Sequence, residues 1–237
     1  MDQENFWRTP VWYPALSEHT FITSFVKLKP AEIEALAQGE TKGEAVREVI
    51  ERMRRPMDAI LGNRFVFADT AAPTDTERFA GKRGAVHSPE SAWRFLAESY
   101  KIREAAASGN VEYICIRPFR RMNKTREFRL FIRDGELSAM SQYWLIRHFR
   151  RMEGVKEEYW NKVQAFVQSI QWALPAQTLV MDIYCTSDGN ILIVDLNKWG
   201  ECDPKLLHSW DRDWSKPAGI LMMPPPTMIT GNVNVSF

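Results

Sequence analysis

Two aspartates and an asparagine carry the most readable chemistry in this sequence. They sit in VMDIYC and NILIVDLN, two apolar runs on either side of Ser187-Asp188-Gly189. Apolar runs joined by an Asp-Gly pair predict a β-hairpin. With Asp188 and Gly189 as the two turn residues, Asp182 falls directly opposite Asp195. Asn197 follows two residues further along the same face, while Met181, Ile183, Val194 and Leu196 form a core face. Like charges opposite one another destabilise a bare sheet. Two carboxylates and an amide oxygen make a hard, oxygen-only set, which suits Mg²⁺ bound through carboxylates and substrate phosphates. Two other readings stay open: one carboxylate paired with an arginine of a neighbouring sheet, or acid–base work by a carboxyl whose pKa its twin raises. A one-residue slip in register would turn the acids to the core face.

A second signal is the placement of charge. The 237 residues hold 31 Lys+Arg against 30 Asp+Glu, a net charge of +1. Residues 117–151 nevertheless carry a net +7, and residues 181–213 a net −4. Metal-binding acids and a basic block make the layout of a triphosphate site. Arg129 is the best placed of the basic residues, because alternation in EFRLFIR sets it with Glu127 on a polar face. Arg147, Arg150 and Arg151 read equally well as a solvated surface. RNA contact is another reading of the block, with no RNA-binding motif to support it. No Walker loop or GxGxxG is present, and the four histidines flank no nucleophile signature.

The elements that must position these residues alternate between helix and strand. Apolar spacing predicts a helix over 43–61 ended by Gly62, a strand at 64–67 and a loop over 68–84. Ser88-Pro89-Glu90 starts a helix that runs to about residue 107. Strands follow at 113–119, 127–133 and 136–143, the last two joined by Asp134-Gly135. A helical stripe from Tyr159 to Ile170 precedes the acidic hairpin. The residues from Lys216 onward hold four of the 13 prolines and read as an extended tail. The expected fold is α+β. The expected division is an N-terminal lobe over 1–112, a lobe with the metal site over 113–215, and the tail over 216–237.

Composition narrows the class further. With 45% hydrophobic and 26% charged residues, the chain can bury a core, so wholesale disorder is excluded. No stretch reaches a membrane-spanning length, and no signal layout opens the sequence. The three cysteines form no CxxC pair, so a reducing, cytoplasmic setting is expected.

These segments resemble the cell division cycle protein 123 family of the ATP-grasp superfamily. The resemblance rests on REFRLFIRDGELSAMSQYW followed by VMDIYCTSDGNILIVDLNKWGECDPKLLHSW, with SPESAWRFLAESYKIRE and YICIRPF ahead of them. It spans roughly residues 64–214. It implies an ATP-grasp-like fold whose two α/β lobes, with antiparallel sheets, enclose a nucleotide cleft. Asp182, Asp195 and Asn197 would then hold Mg²⁺ with ATP phosphates, Cys115, Ile116, Arg117 and Pro118 would form the hinge against adenine, and Arg129 would reach the phosphates. In eukaryotes the family assists assembly of translation initiation factor 2, so a protein partner is implied. Phe67 and Thr74 stand where the family has basic residues, and Lys82 or Arg83 would substitute. Lys198 replaces the family's proline after the asparagine and adds a charge near the metal. Two further functions follow from the same layout: an ATP-dependent carboxylate–amine ligase or transferase acting through an acyl phosphate, and an interaction protein with a degenerate nucleotide site.

Overall fold

The computed structural model describes residues 5–226. The chain opens with α1 (Thr9–Leu16), β1 (Ser24–Lys27), α2 (Pro30–Ala37), α3 (Glu44–Asp58) and β2 (Arg64–Ala68), followed by α4 (Glu77–Lys82), α5 (Pro89–Ala97), α6 (Tyr100–Ala107) and β3 (Tyr113–Pro118). β3 is the central strand of a three-stranded antiparallel sheet ordered β1-β3-β2. α3 is amphipathic because Val46, Val49, Met53 and Met57 recur on one face, and all four are buried. They meet Leu36, Leu96, Ile114 and Ile116 in the first of two main cores.

The second half comprises β4 (Glu127–Arg133), β5 (Glu136–Gln142), α7 (Arg150–Glu153), α8 (Lys156–Ile170), β6 (Leu179–Cys185), β7 (Ile191–Asn197) and β8 (Gly219–Leu221). Its five-stranded sheet runs β7-β6-β4-β5-β8. β4 and β5 turn through Asp134 and Gly135, both at positive φ (52° and 77°), as the two-residue turn expected there requires. Phe128, Leu130, Met181, Ile183 and Leu196 face a core closed by Val163, Val167 and Ile170 of α8 and by Trp12 and Leu16 of α1. The opposite face is divided. At one end Phe131, Ala139 and Val180 lie under Trp199, Trp210 and Trp214; at the other, Glu127, Asp182 and Asp195 line a cavity.

The α+β class stands, and several local expectations change. The helix expected over 88–107 is two helices, because Ser99 begins a new one by accepting from the Ile102 N–H. The loop expected over 68–84 contains α4, capped by Thr76. The expected tail contributes β8, which adds to β5 in parallel; the tail residues 227–237 lie outside the described residues. β3 follows the expected boundary at 112 and yet completes the first sheet, and α1 precedes it and yet packs in the second core. No described helix is long and apolar enough to cross a membrane.

Candidate functional site

Asp182 and Asp195 are register partners on β6 and β7. They meet by a route other than the expected two-residue turn. The connection is the longer loop 186–190, closed by the Thr186 N–H donating to the Asn190 carbonyl at 2.8 Å. From Cys185↔Ile191 to Ile183↔Ile193 the strands therefore pair one residue out of the expected register. A β-bulge at Val194 of β7, opposite the Asp182–Ile183 step of β6, restores it, so that Asp182↔Asp195, Met181↔Leu196 and Val180↔Asn197 follow. Ile193 and Leu196 both reach the core as a result. The Val194 carbonyl is left to accept from Arg117 Nη1 at 3.3 Å.

The two acids differ in their surroundings. Asp182 is clamped by Arg129 through two parallel bonds, Nε to Oδ1 and Nη2 to Oδ2, each 2.7 Å. Both side chains are buried. Burial opposes the charge on Arg129, and Asp182 more than offsets it, holding the guanidinium above its ordinary pKa. Asp195 has no salt-bridge partner among the described residues; the Leu196 N–H donates to its Oδ1 at 3.0 Å. Burial first, and the facing Asp182 second, push the Asp195 carboxyl up to about 7, while Arg117 pulls it back. Arg117 lies among three rings, its guanidinium carbon 4.9, 5.1 and 4.8 Å from the centroids of Phe21, Phe65 and Phe67. Burial brings its pKa down to about 10 against the pull of Asp195. Burial also raises Glu127 to about 7.

These groups border a cavity of about 760 Å³ between the two sheets. That is within the usual size of a small-molecule site. Of the residues expected in a site, Arg83, Arg117, Pro118, Asp182 and Asp195 line it. Arg83 is anchored by Nη1 donating to the Met122 carbonyl at 2.9 Å. Cys115 and Ile116 do not reach the cavity: both are fully buried, and as central-strand residues they are paired on both sides. Arg129 sits behind the wall, committed to Asp182 and to the Asp203 carbonyl. Lys82 is exposed at the end of α4. Lys198 lies in a separate hollow, its Nζ 3.7 Å from the Trp7 ring centroid and 3.6 Å from Glu201. Asn197 lies outside the cavity lining, and its Nδ2 is buried without a partner.

Other cavity residues escaped sequence reasoning. Phe65 and Phe79 give an apolar wall; Arg120 and Lys124 belong to the basic block; Asp203 and Lys205 come from the acidic one. Tyr143 and Trp144 extend β5, where the aromatic run after Gln142 was the available signal. The Trp144 indole N–H is buried with no partner. Among the described residues no group of three or more His, Cys, Asp or Glu could hold a metal. The set in question is two carboxylates and an amide. Its oxygens suit Mg²⁺, with Asp195 lacking a cation and the Asn197 amide uncommitted.

A family model described as D123 matches residues 94–214. Among curated proteins, the translation initiation factor eIF2 assembly protein of Xenopus tropicalis is 32% identical over 111 residues, 45% of this chain and 33% of that protein. The Xenopus laevis protein of the same description is 33% identical over 104 residues, 43% of this chain and 31% of that protein. The matches thus span about a third of these relatives. Among solved structures, C-terminally truncated Cdc123 from Schizosaccharomyces pombe superposes with a TM-score of 0.80 at 17% identity, covering 95% of this chain and 98% of that one. At that identity the likeness establishes a shared fold.

Proposed function

The chain belongs to the D123 family, and from that premise we propose that it is an ATP- and Mg²⁺-binding protein of ATP-grasp type, whose nucleotide supports binding or assembly of a protein partner. The observation that carries this reading is the Asp182–Asp195 pair, facing a nucleotide-sized cavity whose other walls bear Arg83, Arg117, Arg120 and Lys124. Asp182, Asp195 and Asn197 would hold the metal, which neutralises phosphate charge when bound. Arg129 orients Asp182 through its two parallel bonds. Phe65, Phe67, Phe79 and Pro118 offer an apolar wall to a base, and the cations offer donors to phosphates. The assembly role takes its support from the description of the Xenopus proteins as eIF2 assembly proteins. Three free cysteines accord with a reducing cytoplasmic setting.

Calorimetry with ATP and Mg²⁺ tests the nucleotide reading. The intact protein is expected to bind, and Asp195→Ala to lose at least about tenfold in affinity, the scale of one charge-assisted contact. No heat from the intact protein would leave only the interaction protein with a degenerate site. Sustained ADP release with a carboxylate and an amine would turn the reading to a ligase.

A further inference from the structure

The turn that follows β7 aims a lysine at the cavity through a backbone conformation lysine rarely adopts. Lys205 has φ +55°, in the left-handed region that disfavours residues with a Cβ. The surroundings hold it there. Its N–H donates to Asp203 Oδ1 at 2.8 Å, and the next N–H, of Leu206, donates to Ser141 Oγ at 3.2 Å. Leu207 is buried against the Phe131 and tryptophan cluster. The Asp203 carbonyl accepts from Arg129, the residue that clamps Asp182, so this turn is bolted to the carboxylate pair.

The side chain is equally constrained. Lys205 is only 15% exposed, with Nζ 2.9 Å from Asp203 Oδ2 and 4.5 Å from the Tyr143 ring centroid. Lys205, Asp203 and Tyr143 all line the cavity. An ammonium has three donors. Asp203 takes one, and Asp203 itself is 61% exposed, so water can satisfy it if the lysine changes partner. Opposite, the first lobe lines the cavity with Phe65, Phe67, Thr74 and Phe79 and with two cations already engaged, Arg83 on the Met122 carbonyl and Lys101 on Thr74 Oγ1 at 3.1 Å.

We propose that Lys205 forms the terminal-phosphate subsite of the cavity, donating to the end of a nucleoside triphosphate and so favouring it over the diphosphate. This rests on the nucleotide reading above. The strained turn supplies a cation from the second lobe, beside the carboxylate pair, in addition to Arg83 and Lys101 of the first.

Calorimetry of the full chain with ATP and with ADP, each in Mg²⁺, tests it in the intact protein, Lys205→Met and Lys205→Arg. Lys205→Met is expected to weaken ATP about tenfold, one charge-assisted contact, and to change ADP by less than about twofold. Lys205→Arg is expected to restore most of the ATP preference. Lys205→Gly, which fits a positive φ without strain, is expected to lose the preference yet melt no lower than the parent. An unchanged ATP-to-ADP ratio in Lys205→Met overturns the subsite and leaves the nucleotide reading standing. Failure of the intact protein to bind either nucleotide overturns both.

Discussion

Asp182 and Asp195 face each other, yet one is neutralised and the other is not. Arg129 satisfies both oxygens of Asp182, whereas Asp195 keeps a pKa near 7 through burial and its neighbour. In an unfolded chain an aspartate titrates near 3.9. Between those values the folded state holds a proton that the unfolded state has released, so Asp195 makes stability fall as pH rises from about 4 to about 7. Above that range the cost of the buried charge is constant. Asp195→Asn removes the charge and retains the side-chain carbonyl that accepts from Leu196. Its Tm is therefore expected to exceed the parent's at pH 8, by a stability difference on the order of 1–2 kcal/mol after solvent screening, and to converge with it near pH 4. Mg²⁺ is expected to raise the parent's Tm at pH 8 and not that of Asp195→Asn. Melting curves across this pH range, with and without the metal, check both expectations. The pairing of the two acids was legible in the sequence because strand side chains alternate with period two. An arginine paired with one of the acids was an open alternative, expected from a neighbouring sheet; it comes instead from β4 of the same sheet, because β4 and β6 are far apart in sequence and nothing local records that they pair.

At the scale of the elements, the acidic hairpin shows how a correct pairing can arise from a different turn. The Asp-Gly signal suggested a two-residue connection; the loop is longer, and the bulge at Val194 returns the strands to register before the acids. Bulges leave little trace in residue types, so the sequence offered no sign of this one. Its purpose is testable. With Val194 deleted, Ile191 and Ile193 still face the core, Asp195 still falls opposite Asp182, and Leu196 still points inward by plain alternation. The deletion is thus expected to fold, with a stability loss of about 1–2 kcal/mol, within the usual range for single changes. What it removes is the carbonyl that receives Arg117 across the cavity. Nucleotide affinity is expected to fall about tenfold with the loss of that anchor, while the melting transition stays cooperative. Unchanged affinity in the deletion variant would separate Arg117 from the site. The break between α5 and α6 was likewise missed, because apolar spacing continues through Ser99. A serine inside a periodic stretch reads as tolerated unless its tertiary partner is known, and here its hydroxyl donates to Asp75 at 2.5 Å.

At the scale of the whole molecule, the +7 block does not face the −4 block as one opposite wall: Arg117, on β3, reaches across to the Val194 carbonyl, and Arg129 does not. β4 lies in the same sheet as β6 and β7, so Arg129 is a lateral neighbour of the acids. The N-terminal segment also crosses between the sheets, and its structure was the least legible part of the sequence. Arg8 and Asp69, both buried, pair at 2.7 Å, and the Thr9 N–H donates to the Asp69 carbonyl at 3.0 Å. These contacts tie the segment to the end of β2. Four residues later Trp12, and then Leu16, enter the second core, and Thr20 Oγ donates to the Ile193 carbonyl at 2.7 Å. One short segment therefore fastens the two sheets on either side of the cavity. Burial already holds the Asp69 carboxyl above its ordinary pKa despite Arg8 and the Glu112 N–H. Arg8→Met would leave that carboxyl uncompensated, at a cost of about 3 kcal/mol, the scale for breaking a buried ion pair. The loss is expected in the first sheet and its helices, because α1 keeps its apolar anchors in the second core. Trp160, Trp199, Trp210 and Trp214 belong to that second half, while α2, α3, α5 and α6 supply helix around the first core. In Arg8→Met, helix signal by circular dichroism is thus expected to melt at lower temperature than tryptophan fluorescence, whereas the parent melts coincidentally by both. Arg8→Met combined with Asp69→Asn is expected to recover part of the loss by removing the stranded charge. Coincident transitions at the parent's Tm in Arg8→Met would mean that the segment does not couple the sheets, and that the cavity is held together by its own walls.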